Sequence, residues 1–150
     1  MDLVLDDKDK KIIEALRRNA RSSTQEISKI TQIPITTVHN RLKRLEESGA
    51  ILQYTTIVDE KLLGNEVIAL IMVQASGILP NMTRISQSDL AKRIKAIKEV
   101  TEVNSVIGSA DLAVRAVCRS IDHLNDHILH AIKNMGGVEK VHTLIVLKRY

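Results

Sequence analysis

Apolar positions in the first fifty residues recur at the three- and four-residue spacing that is typical of helices. Ile12, Ile13 and Leu16 form one such stripe, and Asp6 precedes it where its side chain can cap a helix. Asp9 stands at the third position of that helix. The pattern predicts a first short helix with an acidic start.

Two more helices are predicted before residue 50. Ser23–Glu26 (STQE) has the spacing of a capping box and opens a helix of about two turns. The tripeptide 32–34 (QIP) then interrupts the chain, and the third helix begins at Pro34, because proline suits the first turn of a helix. This helix runs to Ser48, and Gly49 supplies its C-terminal stop.

The predicted third helix is amphipathic. One face carries the apolar side chains Ile35, Val38, Leu42 and Leu45, which need a core. The opposite face is polar and basic, so it needs a partner. A helix, a short helix, a tight turn and a basic amphipathic helix follow in the order of a helix-turn-helix. A three-helix bundle with no role in DNA binding would show the same caps and stripes.

Residues 51–59 (ILQYTTIVD) are rich in β-branched side chains and predict a strand. This strand either pairs with the start of the chain or forms a winged edge. The boundary between two domains is expected in the same region. We therefore predict a helix-turn-helix domain over 1–50, a wing or linker strand over 51–64, and a second domain over 65–150.

The second domain changes to a strand pattern. Residues 66–76 (EVIALIMVQAS) form a nearly continuous apolar run, which predicts a strand buried on both faces. The elements predicted after it are helix 88–98, strands 100–107 and 112–118, helix 121–135 and strand 138–147. The order βαββαβ indicates a ferredoxin-like sheet with both helices on one face, so the fold class is α+β. The other, uncovered face predicts dimerisation between sheets.

Composition and charge narrow the partner of the basic helix. The chain has 150 residues and a net charge of +4, a weak excess for that length. The segment 17–44, however, carries seven basic residues and one acidic residue, Glu26. The chain has no Phe or Trp and only two tyrosines, Tyr54 and Tyr150, which disfavours single-strand binding by base stacking. Double-stranded DNA is the favoured polyanion.

Contacts with DNA are predicted for the outward face of the third helix. Its N-terminal half would reach base edges through Thr36, Thr37, His39 and Asn40. Phosphate contacts are predicted for basic side chains and for hydroxyls at the start of the second helix, namely Arg21, Ser22, Ser23, Thr24, Arg41, Lys43 and Arg44. For each of these residues the alternative is a solvated or internally paired side chain.

Cys118 is the single cysteine, so an intramolecular disulfide is impossible and a reducing compartment is the simplest interpretation. The acidic start is too polar for a signal peptide, and no apolar run is long enough to span a bilayer. We expect a soluble, cytoplasmic protein with no membrane partner.

His123, His127 and His130 fall on one face of a predicted helix at a spacing that could hold a divalent ion. The favoured alternative is a solvated or subunit-facing flank, so no metal site is predicted. One cysteine and scattered acids assemble no catalytic constellation, and no Gly-rich phosphate loop occurs. The sequence therefore predicts no enzyme.

Short motifs follow one another along nearly the whole chain. The N-terminal ones are Leu5-Asp6-x-x-Asp9-x-x-Ile12-Ile13-x-x-Leu16, Arg21 with Glu26-Ile27, Arg41-Leu42-x-x-Leu45-x-x-x-Gly49-x-Ile51, and Val58-Asp59 with Leu63-Gly64. The C-terminal ones are Val103, Gly108-x-x-Asp111, Gly137-Val138 and Thr143. Each motif alone is weak, but in this order they resemble the Lrp/AsnC family, also called feast/famine regulators.

The resemblance implies a prokaryotic transcription regulator with no cofactor besides an amino-acid effector. In this family a winged helix-turn-helix binds operator DNA, and a RAM domain, here 65–150, dimerises and binds the amino acid. Dimers of the family commonly join into octamers, with the effector held between dimers. The expected partners are double-stranded DNA, an amino acid and further copies of the chain.

The resemblance places the effector at the turn formed by Gly108, Ser109, Ala110 and Asp111. A zwitterion needs N–H donors for its carboxylate and an acceptor for its ammonium group, and a Gly-containing turn followed by Asp111 could supply both. Asn104, Ser105 and Thr143 are polar residues among apolar strand neighbours. They belong either to the same pocket or to solvent-facing strand positions. Without the family, a plain hairpin turn is an equal interpretation.

Two other functions fit the same domain plan. Some Lrp-like proteins decarboxylate haem precursors, in which case a histidine such as His142 would lie near the tetrapyrrole. A sensor that binds an amino acid but no DNA is the third hypothesis. The basic face of the third helix disfavours both.

Overall fold

The computed structural model describes residues 4–79 and 81–148, and the chain divides into two compact units, Met1–Val58 and Asp59–Tyr150. This division falls inside the stretch 51–64 that was predicted to link two domains. Across the described ranges, every helix is too short or too polar to cross a membrane.

The N-terminal unit contains three helices, α1 (Asp7–Arg18), α2 (Thr24–Thr31) and α3 (Ile35–Glu47). Both predicted caps are confirmed. The Asp6 side chain accepts from the Asp9 N–H and the Asp9 side chain accepts from the Asp6 N–H, each at 3.0 Å. Ser23 and Glu26 form the same reciprocal box at the start of α2. These boxes satisfy N–H groups that a helix start leaves unpaired.

Three residues set the two ends of α3 and the turn before it. Gln32 ends α2 in the left-handed region with φ 57°. Pro34 is the residue before α3 rather than part of its first turn, so the helix begins at Ile35, one residue later than predicted. Gly49 follows α3 with φ 74°, which confirms the predicted stop.

The core of the N-terminal unit consists of the buried side chains Ile12, Ala15, Ile27, Ile33, Val38 and Leu45. The prediction that Ile35 belongs to this core is wrong, because Ile35 is 41% exposed at the first position of α3. Ile33, in the preceding turn, is 5% exposed and lies in the core.

The strand predicted over 51–59 is not formed. Two residues of this stretch are tied to the helices: the Ile51 N–H donates to the Leu45 carbonyl at 3.0 Å, and the Tyr54 hydroxyl donates to Glu46 Oε1 at 2.6 Å. Leu52 and Ile57 are 90% and 78% exposed. β-branched residues need a partner strand to form a sheet, and the described part of the N-terminal unit has none.

The C-terminal unit begins with a 3₁₀ turn, Glu60–Leu63, and confirms the predicted βαββαβ order. Its elements are β1 (Val67–Ala75), α4 (Gln87–Lys95), β2 (Val100–Ser105), β3 (Leu112–Cys118), α5 (Ile121–His123), a π-helical stretch (Leu124–Leu129), α6 (His130–Lys133) and β4 (Val138–Ile145). The four strands form an antiparallel sheet in the order β2-β3-β1-β4. Some predicted ends extended two or three residues too far, as is common at element ends.

Side chains of β1 alternate between the two faces of the sheet. Ala69, Ile71 and Val73 are fully buried with Leu90, Ile94, Leu112, Ile128 and Ile132. On the opposite face Leu70 is 40% exposed. Within one chain only one face of β1 is covered, since both helices pack on it, and burial of the other face stays a prediction that requires a second copy.

The helical segment from 121 to 133 changes its winding in the middle. Leu124, Ile128 and Ile132 are buried and lie four residues apart. In a regular α-helix that spacing drifts by about 40° per step around the axis. The wider π-helical turn over Leu124–Leu129 offsets the drift, so the apolar stripe keeps facing the sheet.

Candidate DNA-binding surface and effector turn

The outward face of α3 exposes the predicted base-reading side chains. Thr36, His39, Asn40 and Lys43 are exposed, and Thr37 is half-buried. Lys43 makes one loose ion pair on the same surface, 3.8 Å from Glu47. The buried Val38 and Leu45 hold the opposite face, so the polar residues at the start of α3 are available to a partner.

Two arginines of α3 form ion pairs with carboxylates of α1, Arg41 from a largely buried position and Arg44 from a side chain that is 47% exposed. Arg41 Nη1 donates to Asp6 Oδ1 at 2.6 Å and to Asp9 Oδ1 at 2.8 Å. Arg44 Nη2 donates to Asp9 Oδ2 at 2.5 Å. Asp9 is fully buried, and the Arg41 side chain is 21% exposed. For Arg41 the alternative of an internal ion pair is the one that the structure shows.

Electrostatics keep this cluster charged. The hydrogen bond from the Arg41 guanidinium, helped by the Asp9 N–H, holds the pKa of the Asp6 carboxyl well below its usual range. The same contacts with Asp6 and Asp9 raise the pKa of Arg41 above its ordinary value. The ion pair between Asp6 and Arg41 therefore persists through the neutral range.

The hydroxyls at the start of α2 differ in their engagement with the cap. The Ser23 Oγ accepts from the Glu26 N–H at 3.2 Å, and the Ser23 N–H donates to Glu26 Oε2 at 2.7 Å. The N–H bond from Ser23 lowers the pKa of Glu26. Ser22 and Thr24 are half-buried and Arg21 is exposed. Of the three hydroxyl groups only that of Ser23 takes part in the cap, so the hydroxyl protons of Ser22, Ser23 and Thr24 and the Arg21 side chain could all reach a phosphate.

The basic segment 17–44 does not present one face. Arg17, Arg18 and Lys29 line an open cleft of about 1190 Å³ between α1 and α2, together with Lys10 and Lys11. No residue of α3 lines this cleft. The excess of positive charge in the sequence is thus divided between the cleft, the internal ion pairs and the outward face of α3.

The Gly108–Asp111 turn joins β2 to β3 and is tied to β1. Asp111 Oδ2 accepts from the Ala75 N–H at 2.8 Å, and the Asp111 N–H donates to the Val73 carbonyl oxygen at 2.9 Å. The carboxylate binds β1 where its register shifts between Gln74 and Ala75. Oδ1 has no hydrogen bond with any residue that the structure describes, so one carboxylate oxygen is open to a ligand.

The backbone of the turn offers donors. The N–H groups of Gly108, Ser109 and Ala110 bond to no residue in the described ranges. Gly108 has φ 145°, a region that side chains other than glycine rarely adopt. The Ser109 carbonyl accepts from Gln74 Nε2 at 2.8 Å, and Ala110 is buried. Free N–H donors beside a carboxylate oxygen match the two ends of a zwitterion.

The other predicted effector residues are spread over the sheet. Asn104 and Ser105 lie on β2, while Thr143 lies opposite Ile71 on β4, at the other edge. Asn104 pairs in register with Ala113 and its side chain contacts Glu102. Three strand spacings separate β2 from β4, about 14 Å. Within one chain Thr143 therefore lies far from Asn104 and Ser105, although β4 is the direct neighbour of β1, to which the turn is tied.

The three histidines predicted to share one helix face do not contact a common partner in the described structure. The His123 side chain is 15% exposed, with Nε2 3.5 Å from Glu99 Oε1, and borders a cleft of about 440 Å³ with Cys118. Its ring contacts His127 edge to face at 4.8 Å between centroids, whereas His130 contacts Asn134. Among the described residues, no cluster of three His, Cys, Asp or Glu side chains could hold a metal ion.

Family models match both units of the chain. A family model described as the Lrp/AsnC ligand binding domain matches residues 69–150, and one described as winged helix-turn-helix DNA-binding matches residues 5–51. The chain belongs to the Lrp/AsnC family. Like other Lrp/AsnC proteins it joins a helix-turn-helix to an α+β domain, as the sequence predicted.

Relatives of known name cover the Lrp/AsnC chain almost completely. The HTH-type transcriptional regulator FL11 of Pyrococcus furiosus is 36% identical over 145 residues, which are 97% of this chain and 91% of the relative. The regulatory protein AsnC of Escherichia coli is 31% identical with the same coverage. The chain is a DNA-binding transcriptional regulator of this type. Because its relatives are regulators rather than enzymes, the haem-precursor decarboxylase is not supported.

Solved structures share the fold. Escherichia coli AsnC is 27% identical, with a TM-score of 0.76 over 98% of this chain and 95% of that one. The feast or famine regulatory protein of Mycobacterium tuberculosis, solved with L-methionine, has a TM-score of 0.85 over 98% and 95% but is only 22% identical. The latter similarity shows the fold alone.

Sequence reasoning missed the acidic partners of the two arginines. It recognised Asp6 and Asp9 as a cap but not as ion-pair partners of α3. A signal was present, because Asp9 lies three residues before the buried Ile12 and therefore on the inner face of α1. An acidic side chain at such a position needs a cationic partner.

Proposed function

We propose that the protein binds a pseudo-palindromic operator as a homo-oligomer, and that an amino acid bound at the Gly108–Asp111 turn changes its DNA affinity or assembly. The observation that carries the DNA-binding part is the exposed face of α3, with Thr36, His39 and Asn40 free of side-chain partners in the described structure. Asn can pair with two edges of adenine, and Thr can contact the methyl group of thymine.

Assembly is supported by the sheet face that both helices leave uncovered. Leu70 and Leu144 are cross-strand neighbours on this face and are 40% and 49% exposed. A contiguous apolar sheet face is typical of a surface that a second copy covers. A dimer, with further dimers joining into an octamer, would carry two recognition helices, as a pseudo-palindromic operator with half-sites about one helical turn apart requires.

The effector part is supported by the turn and by two relatives. Free N–H groups at 108–110 suit a carboxylate, and the open Oδ1 of Asp111 suits an ammonium group. The regulators NMB0573 of Neisseria meningitidis and the feast or famine protein of Mycobacterium tuberculosis were solved with L-methionine. Asn104 and Ser105 lie on β2 and Thr143 lies on β4, so a pocket that contains all three would combine residues of two copies.

Footprinting with a duplex enriched from a random library tests the proposal, with each of the twenty amino acids added in turn. We expect one protected pseudo-palindrome whose midpoint shifts with at least one amino acid. Asp111→Ala should abolish that shift and leave binding without effector intact. Protection that no amino acid alters would refute the effector, and the absence of any enriched sequence would refute specific DNA binding.

A further inference from the structure

The buried carboxylate of Asp9 joins α1 to the recognition helix through a fully satisfied cluster. It accepts from the Asp6 N–H, from Arg41 and from Arg44, while Asp6 gives Arg41 a second carboxylate. Arg41 and Arg44 are neighbours one turn apart on α3. The cluster thus fixes α3 at two points along its length and in its rotation about its own axis.

The alternative role for these arginines is phosphate binding, and the geometry disfavours it. The Arg41 side chain is 21% exposed, and its guanidinium already serves two carboxylates. Moving Arg41 or Arg44 to a phosphate would remove one of the two cations that neutralise Asp9, which is fully buried, and moving both would leave it uncompensated. An uncompensated buried charge is costly, so the arginines stay with the acids when DNA is present.

We infer that Asp9 is a positioning residue for sequence recognition: it holds Arg41 and Arg44 as anchors of α3 and so aims Thr36, His39 and Asn40 at the bases. The inference rests on the proposed DNA binding by α3. Asp9 touches no base or phosphate in this arrangement. Its effect is on the orientation of the helix, which decides whether base contacts form.

The base-reading side chains of α3 lie close in sequence to Arg41, so their positions depend on how the Asp9 cluster holds that arginine. Arg41 follows Asn40 directly and lies two residues after His39, so a rotation of α3 about its axis moves both readout groups. Phosphate contacts by long flexible side chains such as Lys43 tolerate such a rotation better than short side chains at base edges. Loss of the anchor should therefore reduce specificity more than general affinity.

The test compares Asp9→Asn with Asp7→Asn, its matched control. Both variants remove one negative charge from the first turn of α1. Asp7, however, is 95% exposed, and its ion pair with Lys10 is loose, with 3.9 Å between the charged atoms. Fluorescence anisotropy gives the affinity of each folded protein for the enriched operator and for a random duplex across a salt series. Hydrogen exchange of α3 amides in the free protein gives a readout that needs no DNA.

For Asp9→Asn we expect the ratio of operator to random affinity to fall by about tenfold. Affinity for the random duplex should hold or rise, and the salt slope should steepen by about one, because a released arginine becomes available to phosphate. The α3 amides should exchange faster than in Asp7→Asn. Asp7→Asn should keep the wild-type ratio and slope.

A folded Asp9→Asn with the wild-type ratio and slope overturns the inference. If Asp9→Asn does not fold, Asp6→Asn replaces it, since asparagine retains the helix cap and removes only one partner of Arg41. In Asp6→Asn the ratio of operator affinity to random-duplex affinity should fall by less than tenfold, and an unchanged ratio again overturns the inference. If the wild type enriches no sequence, the proposed function fails, and unchanged α3 exchange in the variant would refute the anchor independently.

Discussion

The two units of the chain stabilise their helices by different means. In the N-terminal unit the buried set includes the charged residue Asp9, which joins α1 to α3. In the C-terminal unit the buried set that the structure describes is apolar, and helices pack on the sheet through Leu90, Ile94 and Ile128. Apolar packing is non-directional, whereas ion pairs with fixed geometry define orientation more than they add stability.

The difference matches what each unit does. A recognition helix has to present side chains at defined angles, and a buried charge cluster penalises any other angle. In the proposed assembly the sheet would meet another copy through its uncovered face, and for this the alternation of side chains along β1 is enough. Four predictions examine this contrast, from the largest expected effect to the smallest.

A charge placed on either face of β1 separates folding from assembly. Ile71→Asp puts a carboxylate into the apolar core, where Ile71 is fully buried, and should destabilise the fold by about 4 kcal/mol or more. Leu70→Asp lies on the uncovered face and should leave the fold intact while dispersing the oligomer. Thermal unfolding and sedimentation velocity measure the two effects.

Leu70→Asp and Ile71→Asp are controls for each other, because they place the same charge at neighbouring positions on opposite faces of β1. If Leu70→Asp sediments like the wild type, the uncovered face is not the interface. If Ile71→Asp folds normally and only dissociates, the assignment of the two faces is reversed.

Removal of Asp9 tests whether the charge cluster is costly to break. Asp9→Ala leaves Arg41 and Arg44 beside a void and should destabilise the N-terminal unit by about 3–5 kcal/mol. Denaturant unfolding followed by the loss of helical circular dichroism measures it. Asp7→Ala, at an exposed position of the same turn, should cost well under 1 kcal/mol. Equal costs for the two variants would contradict the special role of Asp9.

Alanine substitutions at two glycines with positive φ compare the cost of backbone strain with the cost of a steric clash. Gly49 after α3 and Gly137 before β4 have φ 74° and 97°. A Cβ at position 49 would meet nothing within 4 Å, whereas one at 137 would lie 2.6 Å from Ile85 Cγ2. Gly49→Ala should cost about 1 kcal/mol from backbone strain alone, and Gly137→Ala about 2–4 kcal/mol. Denaturant unfolding should rank them in that order, and the reverse order would show that Ile85 moves aside freely.

The smallest effect is spectroscopic. Burial, with a 2.6 Å hydrogen bond to Glu46, raises the pKa of Tyr54 to about 12. Because the fold favours the neutral phenol, its contribution to stability is present below pH 10 and is lost as pH rises towards 12. An alkaline absorbance titration of Tyr150→Phe should show a midpoint near 12, and Glu46→Gln should lower it. A midpoint near 10 would mean that Tyr54 is not held at the end of α3.

The elements and caps could be predicted because they depend on local patterns. The capping boxes at Asp6 and Ser23 and the alternation along β1 follow from residues within one element. The ion pair between Asp9 and Arg44 could not be predicted from spacing, since it joins residues 35 positions apart. Residues 51–59 form no strand because a partner strand is missing among the described residues, and no local pattern in the sequence reveals whether such a partner exists.

The effector residues show the same limit. The Gly108–Asp111 turn was predicted from glycine and aspartate in sequence, and its φ of 145° at Gly108 agrees. The contact of Asp111 with the Ala75 N–H depends on the register between β1 and β3, which the sequence alone does not give. The grouping of Asn104 with Thr143 ignored the strand order, which places them at opposite edges.

The strand order also affects how the chain folds while it is being synthesised. The N-terminal core is complete once residue 51 has left the ribosome, since its most distant member is Ile51. β1 is first in sequence but lies between β3 and β4, so it gains its second neighbour only when the last strand emerges. Until then β1 has an open apolar edge, and long-range strand pairing of this kind is slow. In a nascent chain the edge of β1 is therefore the last part of the sheet to be paired, after every residue of the N-terminal core has been synthesised.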